Sequence, residues 1–440
     1  MTAANRRTRH PRLFLRLCFG ALFLARGLGI AWADPTFTTI FEFPSGGTRG
    51  SSPESGVIVG PANSLYGTTD AGGVADGGVV YQLTPPANPK HPWKQTIIHR
   101  FQTPEKGGYP LGLALATTGE LFGVTFDGGA GNGTVFRLRQ EDVSSWKFTL
   151  LHSFAGGDDG ALPSGALIFD RHIILDGQSP LIGATDQGGA GAGQPGAGVV
   201  FTLVPPQRGK GPWREFILYR FGGSPDGATP QAPLLAKGGH TRFGVTTSGG
   251  TGICGNLGCG TIFEINQVGH AWSESAIYDF QGGADGSIPV GNLIADGHGR
   301  LYGVTSMGGL PGPQGNYETG TVFRLDPPTS QQAPWTKEIL YHFQGGADGY
   351  SPLNGVLRDK TGALYGTTYE GGTGRGTLFK LTPGPRGQDW TKTILHNFVD
   401  GSGDGALPTS SLVTDGTGSI YGTTVAGGAS GNGTVFRLVP

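Results

Sequence analysis

The sequence predicts an all-β protein, a seven-bladed β-propeller of four-stranded blades whose N-terminal strand closes the last blade. Three observations carry this expectation. One phrase recurs seven times, every repeat unit holds four short runs of β character, and the two chain ends supply complementary parts of one unit. Composition agrees. With 83 glycines and 31 prolines among 440 residues there is too much turn chemistry for a helical protein, and 36% hydrophobic residues are too many for a disordered one.

The phrase reads Leu65-Tyr66-Gly67-Thr68-Thr69, then Gly72-Gly73, then Gly78-Val79-Val80-Tyr81 in its first copy, and runs from Ile420 to Phe436 in its last. Its first glycine stands at Gly67, Gly123, Gly183, Gly244, Gly303, Gly366 and Gly422, 56 to 63 residues apart. A tryptophan eight residues before a phenylalanine recurs from Trp93/Phe101 to Trp390/Phe398. The first copy of this second phrase, Thr36 to Phe43, keeps the phenylalanine and lacks the tryptophan.

In the fifth unit the β runs are Gly291–Ala295, Leu301–Thr305, Thr321–Leu325 and Lys337–Phe343, bounded by turn residues. Four strands per unit, seven times over, is the signature of a propeller. A solenoid would want distinct capping repeats, and neither end shows one. Thr36–Phe43 matches the fourth strand of a unit and Val435–Val439 the third. Pairing them completes blade 7 and removes two open edges. The blades are expected at 53–101, 110–154, 163–221, 230–280, 289–343, 352–398 and 408–440 with 35–43.

Repeated positions have packing explanations. Aromatics such as Tyr302, Phe323 and Phe343 recur from blade to blade and should pack blade against blade. The central glycine of the second strand should let a neighbouring backbone come close. His99, His152 and His396 share one slot with Phe41, Tyr219, Tyr278 and Tyr341. A slot that accepts Phe, Tyr or His reads as packing, so no metal site and no cofactor are expected from it.

The N-terminus reads as a leader. Arg6, Arg7, Arg9 and Arg12 precede an apolar core from Leu17 to Ala25, and Ala31-Trp32-Ala33 gives an A-x-A signal, so cleavage is expected after Ala33. The apolar run is far short of the roughly 20 residues of a spanning helix. Arg6-Arg7 hints at twin-arginine export, but the following residues fit it poorly. Cys18 lacks the small preceding residue of a lipidated cysteine. The mature chain, residues 34–440, holds 25 basic and 32 acidic residues, a net −7. No basic cluster marks a nucleic-acid or anionic-lipid surface, and no membrane span is expected after cleavage. A secreted or periplasmic monomer follows.

The phrase LYGTTxxGGxxGxGTVFRL resembles the repeat of the choice-of-anchor tandem-repeat GloVer proteins over residues 36–440. The resemblance implies a bacterial exported protein and hands over no catalytic residues. Members often end in an anchoring segment; this chain stops at Pro440, which favours a soluble form.

Two loop types should share one propeller face: those between strands two and three, and those from strand four to the next blade. A proline closes each of the latter, at Pro53, Pro110, Pro163, Pro230, Pro289, Pro352 and Pro408. Four residues earlier stand Arg49, Lys106, Asp159, Asp226, Asp285, Asp348 and Asp404. They read either as ordinary Asp-Gly turn chemistry or as a polar ring for a polyhydroxylated or cationic ligand. Calcium suits the ring poorly, because it wants 6–8 oxygens and each loop offers about one carboxylate. The loops between strands two and three are longest in blades 3, 4 and 5 and read as a rim, with Gln314, Asn316, Tyr317 and Glu318 its expected ligand contacts. Cys254 and Cys259 lie in the blade-4 loop and should form a local disulfide in an oxidising compartment.

Functionally, a binding or interaction scaffold for glycans or a protein partner leads. The alternative is a propeller hydrolase or lyase acting on extracellular polysaccharide. The sequence offers no nucleophile elbow, no HExxH and no Asp-box series, and the ring carboxylates belong to the repeat itself.

Overall fold

The computed structural model describes residues 34–440 except 103, 171–177, 190–195, 239, 270, 312–318, 331 and 386–388. The expected leader and the rim residues Gln314, Asn316, Tyr317 and Glu318 lie outside the described residues. Seven four-stranded antiparallel blades form a ring, a seven-bladed β-propeller. In blade 5 the strands are Ser287–Ala295, Leu301–Met307, Thr321–Asp326 and Thr336–His342, paired in chain order. In blade 3 the inner strand is two pieces, Ala161–Pro163 and Ile168–Phe169. Closure occurs as the chain ends require: Thr36–Glu42 pairs antiparallel with Thr434–Val439, Thr36 opposite Val439 and Glu42 opposite Thr434.

The repeated phrase follows from packing. Leu301–Thr305 is buried along its whole length, so the hydroxyl of Thr305 needs a partner. Thr305 and Thr321, opposite each other on strands two and three, meet hydroxyl to hydroxyl at 2.8 Å. The same pair recurs at Thr125/Thr134, Thr246/Thr261, Thr368/Thr377 and Thr424/Thr434. These bonds satisfy hydroxyls that would otherwise be costly to bury.

The central glycine serves a ring and not a neighbouring backbone, which corrects the expectation. Gly303 stands opposite Phe323 in the ladder, and a Cβ on Gly303 would lie 2.6 Å from the tip of that ring and 2.8 Å from Leu293. The partner aromatic fills this space in every blade. Close backbone approach belongs instead to the glycine opening strand three. A Cβ on Gly320 (φ +85°) would meet the Thr305 carbonyl at 2.5 Å and the next blade's Pro352 at 2.6 Å. That contact explains both the glycine and the loop-closing proline.

Aromatics do pack blade against blade. The core falls into seven clusters, one per junction; Tyr302, Val304 and Phe343 of blade 5 join Leu364, Phe379 and Leu381 of blade 6. Phe343 meets Phe379 with ring centroids 5.3 Å apart, nearly edge to face. Such pairs add about 0.5–1.5 kcal/mol each beyond area burial. Trp93 of blade 1 packs on Tyr421 of blade 7, so the closing junction is built like the others. Among the described residues no helix is long and apolar enough to cross a membrane.

Candidate functional site: blade joints and an axial cavity

The two glycine-rich loop types meet on one face through repeated backbone bonds, such as Gly309 N–H to the Gly283 carbonyl at 2.8 Å. Each ring residue sits there in a three-residue joint. Its partners are the Phe/Tyr/His slot of the same outer strand and a side chain of the next blade's outer strand. In the joint between blades 4 and 5, Asp285 accepts from the Tyr278 hydroxyl (2.7 Å) and the Gln281 N–H (2.8 Å), and pairs with Lys337 at 2.6 Å. Asp348 repeats this with Tyr341 (2.9 Å), Gln344 N–H (2.8 Å) and Lys392 (2.9 Å). Burial pulls both lysines below the ordinary range, and the paired aspartates oppose it.

The other joints vary the chemistry in matched sets. Arg49 donates to Gln95 at 2.9 Å. Lys106 approaches the ring of Phe148, which stacks on His99; burial and then Lys106 push His99 down to about 4. Asp404 pairs with His396 at 2.9 Å, and His396 stacks on Phe37. Asp226 accepts from Tyr219 at 3.1 Å and faces Glu274, whose carboxyl is pushed up to about 7 by burial and by Asp226. Asp159 lies 3.3 Å from His152, beside Glu215. The third member stands two residues after each repeat tryptophan, from Gln95 to Lys392, a column the repeats make visible.

The predicted Cys254–Cys259 disulfide is present. It packs on the next loop, since a Cβ on Gly282 would lie 2.7 Å from the Cys254 sulfur.

None of the seven ring residues lines the cavity enclosed by the inner strands. That cavity, about 720 Å³, is bounded by inner-strand residues of all seven blades and therefore lies on the propeller axis. Its lining is mixed. Blades 1 to 3 contribute Ile58, Tyr66, Leu113, Leu115 and Phe169 with Glu54, Ser55 and Ser164, and blades 4 to 7 contribute Gln231, Asn292, Asn354, Thr409 and Ser411 with Leu353, Leu412 and Val413. The Ser411 hydroxyl of blade 7 lies 2.9 Å from the amide oxygen of Asn292 in blade 5 and 3.0 Å from that of Asn354 in blade 6. One side chain touching two other blades pinches the channel at that level. Glycine lets the inner strands converge: a Cβ on Gly112 would fall 2.6 Å from Ala166 of the next blade.

Among the described lining residues Glu54 is the one charged side chain. Burial and then Asp70 raise its carboxyl; burial and then Asp76 raise Asp70. Beside the lining residue Ser164, burial pushes Asp186 up to about 7, with the Ser164 hydroxyl opposing. One Asp186 oxygen is buried with no hydrogen-bond partner. Sequence reasoning passed over this wall because its polar residues occupy different inner-strand positions in different blades. The signal was departure from the repeat rather than the repeat.

No curated protein sequence matches the chain. Solved structures share the fold at low identity. A fungal alcohol oxidase of the AA5 family, in complex with copper, aligns at TM-score 0.51 with 13% identity, over 92% of this chain and 75% of that one. The periplasmic gluconolactonase of Pseudomonas aeruginosa aligns at TM-score 0.48 with 14% identity, over 78% and 84%. A hypothetical selenium-binding protein from Sulfolobus tokodaii gives TM-score 0.48 at 12% identity, over 76% and 75%. A family model described as the Gloeobacter/Verrucomicrobia repeat matches residues 29–189, 171–333 and 312–440, so the chain belongs to the Gloeobacter/Verrucomicrobia repeat family.

Proposed function

We propose that this chain is an exported binding propeller that takes a neutral, polyhydroxylated ligand of the glycan class in its axial cavity. The mixed lining carries the reading. Apolar side chains alternate with amides and hydroxyls, the amides coming from blades 4 to 6, and the lining holds one carboxylate and no cation among its described residues. Such a wall suits a ring with an apolar face and a hydroxylated edge, and it disfavours anions. The volume of about 720 Å³ lies within the range of about 300–1,000 Å³ typical of small-molecule sites. Export is supported by the leader-like N-terminus and by the disulfide, which persists in oxidising compartments.

A thermal-shift and calorimetric screen against neutral, cationic and anionic saccharides tests this. A ligand at 100 times its Kd should stabilise the fold by about 2.7 kcal/mol. Asn354→Leu should weaken binding at least tenfold without unfolding the chain. Equal binding of anionic sugars, or binding indifferent to Asn354→Leu, would sink the axial assignment.

A second reading, a hydrolase or lyase using the same cavity, draws on Asp186. A carboxyl held near neutrality beside a cavity is suited to proton transfer. Turnover of a bound saccharide that disappears in Asp186→Asn, with binding retained, would convert the binding protein into an enzyme.

A further inference from the structure

Two of the seven joints hold a positive charge at one place. Between blades 4 and 5 and between blades 5 and 6, the Lys337 and Lys392 ammonium groups fill it, 2.6 and 2.9 Å from Asp285 and Asp348. Between blades 2 and 3 the same repeat column carries Glu215, so Asp159 faces a second carboxylate instead of an ammonium. The slot that holds tyrosine in the lysine joints holds His152 there.

The three side chains converge. His152 Nε2 lies 3.3 Å from Asp159 Oδ2 and 3.5 Å from Glu215 Oε2, and one donor atom from each residue falls within 4.8 Å of the others. Despite those distances, Nε2 is buried and makes no aligned hydrogen bond. The Glu215 side chain is 9% exposed, and its Oε1 is buried without a partner. With metal–ligand bonds of about 2.0–2.1 Å, the edges of a coordination tetrahedron are about 3.3–3.4 Å. The two separations match such edges better than they match aligned hydrogen bonds.

We propose that His152, Asp159 and Glu215 form a binding site for a divalent transition cation, with Zn²⁺ the best-matched ion. One imidazole nitrogen and two carboxylate oxygens suit zinc, and water would complete a four-coordinate shell. Magnesium and calcium prefer all-oxygen sets. The ion takes the structural place of the missing lysine and ties blade 2 to blade 3. Without it two carboxylates face each other across the joint with His152 between them. Arg220 is the nearby cation. Its Nε is 3.9 Å from Asp158, in the same loop as Asp159.

The test is calorimetric titration of the EDTA-treated full chain with ZnCl2, MnCl2 and MgCl2. The proposal expects one zinc site per chain of micromolar or tighter Kd, weaker manganese binding and no magnesium binding. Glu215→Gln, which keeps shape and removes charge, should weaken that site at least 30-fold. His152→Phe, which copies the residue at Phe41, should do the same, while His99→Phe in the neighbouring joint should leave it intact. Loss of the zinc-induced thermal shift in Glu215→Gln provides a second readout should His152→Phe fold poorly. Absence of a stoichiometric zinc site overturns the proposal. So does zinc binding that survives Glu215→Gln, or that is lost equally in His99→Phe.

Discussion

Replacing Asp186 by asparagine asks whether the axial cavity was kept at the expense of stability. Burial pushes this carboxyl from 3.8 up to about 7, and the hydroxyl of Ser164 offsets only part of the effect. At 1.36 kcal/mol per tenfold change in proton affinity, that rise corresponds to about 4 kcal/mol. Its sign follows from proton counting. Between pH 3.8 and about 7 the folded chain holds a proton on Asp186 that the unfolded chain has lost, so stability falls as pH rises. Below pH 3.8 both states are protonated and the penalty vanishes; above about 7 it is complete. Asparagine cannot ionise and removes the penalty. Guanidinium unfolding should therefore show Asp186→Asn more stable than the parent by about 3–4 kcal/mol at about pH 8.5, and equal to it at about pH 4. An identical difference at both pH values, or a destabilised variant at the higher one, would refute the burial argument. A stabilising variant that also loses ligand binding would mark Asp186 as retained for function.

Three further changes test the architecture. Gly303→Ala drives a methyl into the Phe323 ring and should cost about 1–3 kcal/mol in denaturant unfolding, whereas Gly297→Ala, with no heavy atom within 4 Å, should be near neutral. Asp285→Ala takes the carboxylate from Lys337, whose side chain is 4% exposed and which keeps only the main-chain carbonyl of residue 285 as a hydrogen-bond acceptor, and should cost about 3–5 kcal/mol; adding Lys337→Met should recover most of that in a double-mutant cycle. Arg242, fully buried and paired with Asp170 at 3.0 Å, stands where other blades carry leucine or isoleucine. Arg242→Leu alone should cost about 3–5 kcal/mol in the same assay, and joint replacement by Arg242→Leu and Asp170→Leu should come close to neutral.

The fold was legible because each repeated residue answers one local demand. Glycine at 303 and phenylalanine at 323 must coexist across a ladder, and threonines at 305 and 321 must satisfy each other. Seven copies of such solutions identify the blade, and the unpaired fourth strand at Thr36 identifies the closure. The reason for the central glycine was misread because sequence spacing does not disclose which aromatic faces it across the ladder. The ring positions were legible as a column, but their partners were not read. The aspartate column is only half of each joint; the other half, two residues after the tryptophan, changes from Lys337 to Glu215 to Gln95 and resembles surface variation until the blades are placed side by side.

Symmetry itself then becomes a tool for locating chemistry in this molecule. A feature present seven times is a condition for building a blade, and changing it costs stability at every copy alike. A feature present once or twice has no such explanation and persists against the packing that the other blades achieve. Asn292, Asn354 and Ser411 place amides and a hydroxyl in an inner wall that also carries Ile58, Leu113, Leu115 and Phe169. Asp186 leaves a buried oxygen without a partner, where the matching position holds Phe126 in blade 2 and Val425 in blade 7. His152 and Glu215 replace a tyrosine–lysine pair that two other joints use successfully. The first group lines the axial cavity, Asp186 lies beside its lining residue Ser164, and the third group gathers three potential ligand atoms. On the readings proposed above, a bound saccharide would satisfy the first two groups and a metal ion the third.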